Sequence, residues 1–169
     1  MPDPLNRIIG IDPGLKKTGY GVMDSDGVST KHIASGVICP DASKPLGARL
    51  LFLSEQLAEI FQLYNPKHIA VEDVFMSINA KSSLMLGYAR GICMCEAYKA
   101  SPLTFTYSAK EVKLSVVGNG SADKNQVQYM VGIILNIRNK MEVDASDALA
   151  VGICHAHSYR AIACDSYAK

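Results

Sequence analysis

The chain begins with short apolar runs that alternate with turn signals, and then changes period. Residues 7–12 form an apolar run closed by Asp12-Pro13-Gly14, which predicts a buried strand ending in a tight loop. Residues 18–23 and 29–38 predict two more strands, separated by the turn Asp24-Ser25-Asp26-Gly27. Short connections make an antiparallel meander the economical arrangement of these three. Leu46, Leu50, Leu53, Leu57, Ile60 and Tyr64 then recur at helical spacing, so residues 46–64 read as one amphipathic helix stopped by Asn65-Pro66.

Strand and helix alternate from there. Residues 67–74 predict a strand, 76–79 a loop, and 80–99 a helix interrupted by Gly87 and Gly91, where small residues would let another element approach closely. Residues 103–107 predict a last strand. Ser108 caps a short helix to residue 116, residues 118–121 read as a flexible link, and Ser121 or Asp123 caps a helix to about residue 136. A final helix covers roughly residues 145–159. A meander followed by βαβ units predicts an α/β protein with a mixed five-stranded sheet flanked by helices. No repeat or linker composition divides the chain, so residues 1–169 read as one domain with loose ends at about 1–6 and 161–169.

Composition narrows the class without naming it. The chain is 49% hydrophobic and 20% charged, which predicts a folded core rather than disorder. No apolar stretch reaches the length of a membrane span and residues 1–4 do not resemble a signal peptide, so the expected location is the cytoplasm. Five cysteines without a paired framework agree with reduced thiols there. The net charge of +1 argues neither for nor against a nucleic-acid partner, because separated acidic and basic patches can cancel.

Four acids carry the candidate chemistry. Asp12 ends the first strand, Glu72 sits in Ile69-Ala70-Val71-Glu72-Asp73, and Asp144 and Asp147 open the last helix. Three residues apart, the last two lie about 60° apart around a helix axis and about 4.5 Å along it, on one face. Taken singly, Asp144 could be an N-cap and Asp12 an Asx-turn residue. Glutamate ending an apolar strand is a poor turn residue, however. If the first and fourth strands are neighbours, Asp12 and Glu72 stand side by side, and a helix across that end brings in the other two. Such a cluster of like charges calls for divalent cations, and hard oxygen ligands favour Mg²⁺. Two ions would activate a water and stabilise the leaving oxygen of a phosphodiester.

The residues around these acids resemble a known family. Gly10-Ile11-Asp12-Pro13-Gly14 with Thr18-Gly19-Tyr20-Gly21, Glu72-Asp73-Val74-Phe75-Met76, Leu86-Gly87-Tyr88-Ala89-Arg90-Gly91, the series from Val116 to Lys124, and Asp144-Ala145-Ser146-Asp147 are similar to the RuvC family of Holliday-junction resolvases, in order over about residues 7–157. The resemblance implies a ribonuclease-H-like fold and a homodimer that cuts four-way junction DNA symmetrically. It makes Asp12, Glu72, Asp144 and Asp147 the acids that bind two Mg²⁺ ions per subunit, with Mn²⁺ as a substitute. It places Lys113 and Lys124 beside the scissile phosphate and Phe75 as an aromatic wedge on an opened base. It also implies cooperation with a junction-binding protein and its branch-migration motor.

Other readings stand beside these. Lys81, Arg90 and Lys110 are candidate DNA-backbone contacts. Gly118, Asn119, Gly120 and Ser121 either link two helices or let backbone amides approach phosphates. Cys93 and Cys95 with His155 and His157 are a poor zinc set, since Cys-x-Cys on a helix points its thiols apart; the two histidines instead suit the C-terminal dipole of the last helix. The rival functions are a non-catalytic junction-binding module, an ATP-using protein of the actin and sugar-kinase type, which shares a Gly-Ile-Asp-Pro-Gly-like loop, and a nuclease for RNA hybrids.

Overall fold

A computed structural model describes residues 5–73 and 79–166, with side chains through residue 159. Strands β1 (Asn6–Asp12), β2 (Thr18–Ser25) and β3 (Thr30–Ile38) form the antiparallel meander. Helix α1 (Leu46–Tyr64) leads to β4 (His68–Glu72), α2 (Ala80–Ala100) to β5 (Thr104–Tyr107), and α3 (Ala109–Val117), α4 (Lys124–Ile134) and α5 (Val143–Ser166) complete the chain. The sheet order is β3-β2-β1-β4-β5, with β4 parallel to both β1 and β5. Strand alternation divides the core between the two faces. Ile9, Ile11, Val22, Ile69 and Val71 pack under α1 and α2. Ile8, Met23 and Ala70 pack under α3, α4 and α5.

Local chemistry sets most element ends. Asn65 closes α1 in the left-handed region, at φ 44°. Capping boxes open α3, between Ser108 and Glu111, and α4, between Asp123 and Gln126. Asp123 is therefore the cap of α4, not Ser121.

Several expectations need correction. The last helix starts earlier, because Ser146 N–H already bonds the Glu142 carbonyl; Asp144 lies inside its first turn and is not an N-cap. That helix also runs on to Ser166, past the predicted end at residue 159, and β1 begins at Asn6. His155 and His157 consequently lie mid-helix, away from any C-terminal dipole. His155 is buried, its Nε2 2.8 Å from His68 Nδ1 and its Nδ1 2.8 Å from the Tyr107 hydroxyl. Cβ atoms added at Gly87 or Gly91 would meet nothing within 4 Å among the described residues, so these glycines admit no described neighbour from the same chain. The 118–121 segment is a built turn: Gly118 caps α3 at φ 81°, and the Asn119 side chain accepts from Ser121 N–H. Among the described residues, no helix is long and apolar enough to cross a membrane.

Candidate functional site

The parallel pairing of β1 with β4 places the first two acids. Their register runs Ile9 to Ile69, Gly10 to Ala70 and Ile11 to Val71, so Asp12 and Glu72 follow abreast at the carboxyl ends of both strands. The two carboxyl groups share a hydrogen bond. Burial, the bond to Glu72 and the charges of Glu72, Asp147 and Asp144 hold Asp12 far above the usual carboxylate range. Glu72 is also raised, chiefly by burial. Their shared bond raises Asp12 and lowers Glu72, so the pair favours holding one proton between them.

Helix α5 supplies the other two acids, and glycines set how closely it approaches. It lies directly over β1 and β2. A Cβ on Gly10 would collide with the Ala148 carbonyl, and one on Gly19 with the Asp144 carbonyl. Gly152 supplies a third bare position, occupied by the Met23 side chain. This glycine contact pins the first turn of α5 to the sheet end where Asp12 and Glu72 stand.

A cavity of about 220 Å³ opens there, walled by Asp12, Glu72, Asp147, Lys113 and Lys124 over a floor that includes Val112, Val127 and Ala150. Lys124 Nζ bonds Asp147 Oδ2 at 3.2 Å, and this pairing raises Lys124. The charges of Lys124 and Lys113 both favour ionised Glu72. Asp144 faces the adjoining cleft instead, with Lys17 Nζ 3.8 Å from its Oδ2. The other three acids are thus close enough to act on Asp12 electrostatically, but Asp12, Glu72 and Asp147 share one cavity while Asp144 lines another.

The other predicted contacts scatter. Lys81 is exposed at the start of α2 and lines the Asp144 cleft. Lys110 lies against Gly120, on the α3 side. Arg90 is committed to Asp73 at 2.9 Å. In the 118–121 turn, the amides of Gly118 and Ser121 are bonded internally. Phe75 lies outside the described residues. Cys93 is buried and Cys95 exposed, so their thiols diverge. Sequence reasoning missed Lys16, Lys17 and Arg49, which stand around Asp144, and the glycine contact under α5. The signal for the latter was present: Gly10, Gly19, Gly21 and Gly152 occupy element interiors, where glycine needs a reason.

The donor set suits a divalent cation. Hard carboxylate oxygens are the ligands Mg²⁺ takes, and two acids driven to share a proton are the arrangement a cation relieves. Among the described residues the acids ring the space without three of them meeting as a ready-made coordination shell.

Fold and sheet end together define a ribonuclease-H-like α/β protein with an acid cluster at the carboxyl ends of β1 and β4. The sequence model described as "Crossover junction endodeoxyribonuclease RuvC" matches residues 8–155. A protein of that name from Acidiphilium cryptum is 46% identical over 151 residues, 89% of this chain and 90% of the relative. One from Xanthomonas axonopodis is 44% identical over 154 residues, 90% of this chain and 88% of the relative. Among solved structures, T. thermophilus RuvC in complex with a Holliday junction substrate superimposes with a TM-score of 0.85 at 26% identity, over 92% of this chain and 96% of that one. The yeast mitochondrial resolvase Ydc2, at 12% identity and a TM-score of 0.62, covering 97% of this chain and 85% of its own, shares the fold. The chain belongs to the RuvC family of crossover junction endodeoxyribonucleases.

Proposed function

We propose that this protein resolves Holliday junctions, hydrolysing phosphodiesters at the cavity between Asp12, Glu72, Asp147, Lys113 and Lys124. The observation that carries the reading is that cavity: paired strand-end acids face two lysines, in a chain of a family whose curated relatives are junction endonucleases. The T. thermophilus relative solved on a Holliday junction makes four-way DNA the substrate to test.

Asp12, Glu72, Asp144 and Asp147 would hold two Mg²⁺ ions per subunit, or Mn²⁺ in their place. Bound there, the ions supply an activated water and stabilise the leaving oxygen, giving 5′-phosphate and 3′-hydroxyl ends. Lys113 and Lys124 are the positioning cations: one phosphate oxygen can be held between them while charge builds on it. Lys124 must first exchange Asp147 for phosphate, a move open to an exposed side chain on the first turn of α4. Phe75 is carried forward as the wedge, and Lys81, Lys110 and the 118–121 turn as backbone contacts.

Symmetric cutting needs two such sites, and α2 offers a surface for pairing. Leu84, Tyr88, Gly91, Cys95 and Tyr98 recur at alternating spacings of four and three, all of them exposed. That is the seam of two packed helices, with glycine at its centre to bring the backbones close. We therefore infer a homodimer across α2, acting in the cytoplasm with a junction-binding protein and its branch-migration motor. Incubation of the protein with a synthetic four-way junction and with linear duplex tests the reading. It predicts paired nicks in the junction alone, dependent on Mg²⁺ and abolished by chelator. A protein that binds the junction but never cuts it would support a binding module instead.

A further inference from the structure

A second cavity, of about 590 Å³, is lined by Asp144, three residues before the Asp147 that lines the acid-walled one. Its cationic walls come from three separate elements. The loop after β1 contributes Lys16 and Lys17, α1 contributes Arg49, and the first turn of α2 contributes Lys81. Four cations thus face a single carboxylate, Asp144, in a chain whose net charge is only +1. Concentration of charge on that scale in one concavity marks a site for an anion.

The hydrogen bonds show that the cations are not consumed by the fold. Arg49 uses Nη2 to bond the Leu15 carbonyl at 2.9 Å, which aims its guanidinium along the cavity wall. Its Nε is buried and has no partner, and a buried donor left open is costly until an acceptor reaches it. Lys17 reaches Asp144 only at 3.8 Å, too long for a good hydrogen bond. Lys16 and Lys81 are exposed. The amides at the start of α2 are not the attraction, because the Asn79 side chain already accepts from Lys81 and Ser82 N–H. The charge belongs to the side chains.

We propose that this cavity is a subsite for a backbone phosphate flanking the scissile one on the same strand. Asp144 lines this cavity and Asp147, three residues on along α5, lines the other, so a strand whose scissile phosphate sits beside Lys113 and Lys124 runs along the first turn of α5 and delivers its neighbouring phosphate to Arg49, Lys16 and Lys81. Arg49 then presents its guanidinium to the phosphate from the cavity wall, and Lys17 bridges phosphate and Asp144. The subsite fixes the strand along its length, so that the bond presented to the acids is one defined bond. The inference rests on the junction-resolving reading above.

The test uses the full-length protein and a four-way junction with a single neutral methylphosphonate placed, one position at a time, around the cut. Binding of wild type and of the double variant K16Q/K81Q, two exposed positions, is measured across a salt series. The subsite predicts about a tenfold loss of junction affinity for the variant and a salt slope lower by roughly one per lysine lost. One flanking methylphosphonate should weaken the wild type and leave the variant no weaker still. Unchanged affinity and slope in a variant whose wild type cuts junctions would overturn the subsite alone, as would methylphosphonate effects identical in both proteins. Failure of the wild type to bind or cut junctions would overturn the parent reading, and the subsite with it.

Discussion

Gly19→Ala isolates the contact that assembles the site. The new methyl would sit against the Asp144 carbonyl, a backbone atom that no rotamer change can move aside. To reach even the closest separation real Cβ atoms show, the first turn of α5 and β2 must part by at least about 1 Å. Overpacking of this kind costs about 1–3 kcal/mol. At roughly 2–4 °C per kcal/mol for a chain of this size, the melting temperature should fall by about 2–12 °C. The greater effect falls on catalysis. Asp144 and Asp147 ride on the displaced turn, whereas Asp12 and Glu72 stay in the sheet, and a misplacement of about 1 Å between reacting groups costs on the order of 10²-fold in rate. Single-turnover cleavage of a junction at a temperature where the variant is folded reads this directly. Gly21→Ala is the control, since its added methyl meets chiefly the Leu149 side chain rather than the backbone of the acid-bearing turn. If Gly19→Ala cuts at the wild-type rate, or loses only as much as Gly21→Ala, the glycine contact does not position the acids.

Three further outcomes follow from the same structure. Asp12 keeps its proton when folded but ionises near pH 4 in the unfolded chain, so without metal the folded state loses stability as pH rises above that value; Asp12→Asn should flatten this loss, raise the metal-free melting temperature at pH 7, and abolish stabilisation by Mg²⁺ in a thermal-shift titration. His155 behaves in the opposite sense: burial and neighbouring His68 hold it down to about 3, so the unfolded chain binds the proton first and stability falls as pH drops below about 6.5. That cost reaches about 2 kcal/mol by pH 5, at 1.36 kcal/mol per unit, and the difference in urea midpoints between wild type and His155→Gln at pH 7 and pH 5 should display it. Gly91→Ala would stabilise an isolated α2 by about 0.5–1 kcal/mol, yet should weaken the dimer in sedimentation if the glycine admits a second copy of the helix.

Much of this was legible in the sequence, for identifiable reasons. The period change at residue 46 and the Asn65-Pro66 stop define α1 to the residue, because propensity, pattern and cap agree. The sequence sets Asp12 beside Glu72 only on condition that β1 and β4 are neighbours, and their parallel pairing supplies that condition. The start of α5 was misplaced because Val143 and Asp144 carry weak helical signals, and only packing on bare glycines fixes that turn. The histidines were misread for a related reason: the end of α5 lacks a stop signal, so His155 was placed at an end when it is a core residue bonded to Tyr107 and His68. Lys16, Lys17 and Arg49 stand far from the acids in pattern and meet Asp144 only through the fold.

The central claim is that strand-end acids, with Glu72 at their centre, carry the chemistry. Cleavage of a synthetic four-way junction in Mg²⁺ by Glu72→Gln, beside wild type and with junction binding measured on the same preparations, tests it most directly. Glutamine keeps the shape and removes the charge. The account predicts that binding persists while cleavage falls by at least about 10³-fold, the scale on which losing a group that stabilises transition-state charge is felt. Cleavage by Glu72→Gln at the wild-type rate would contradict it.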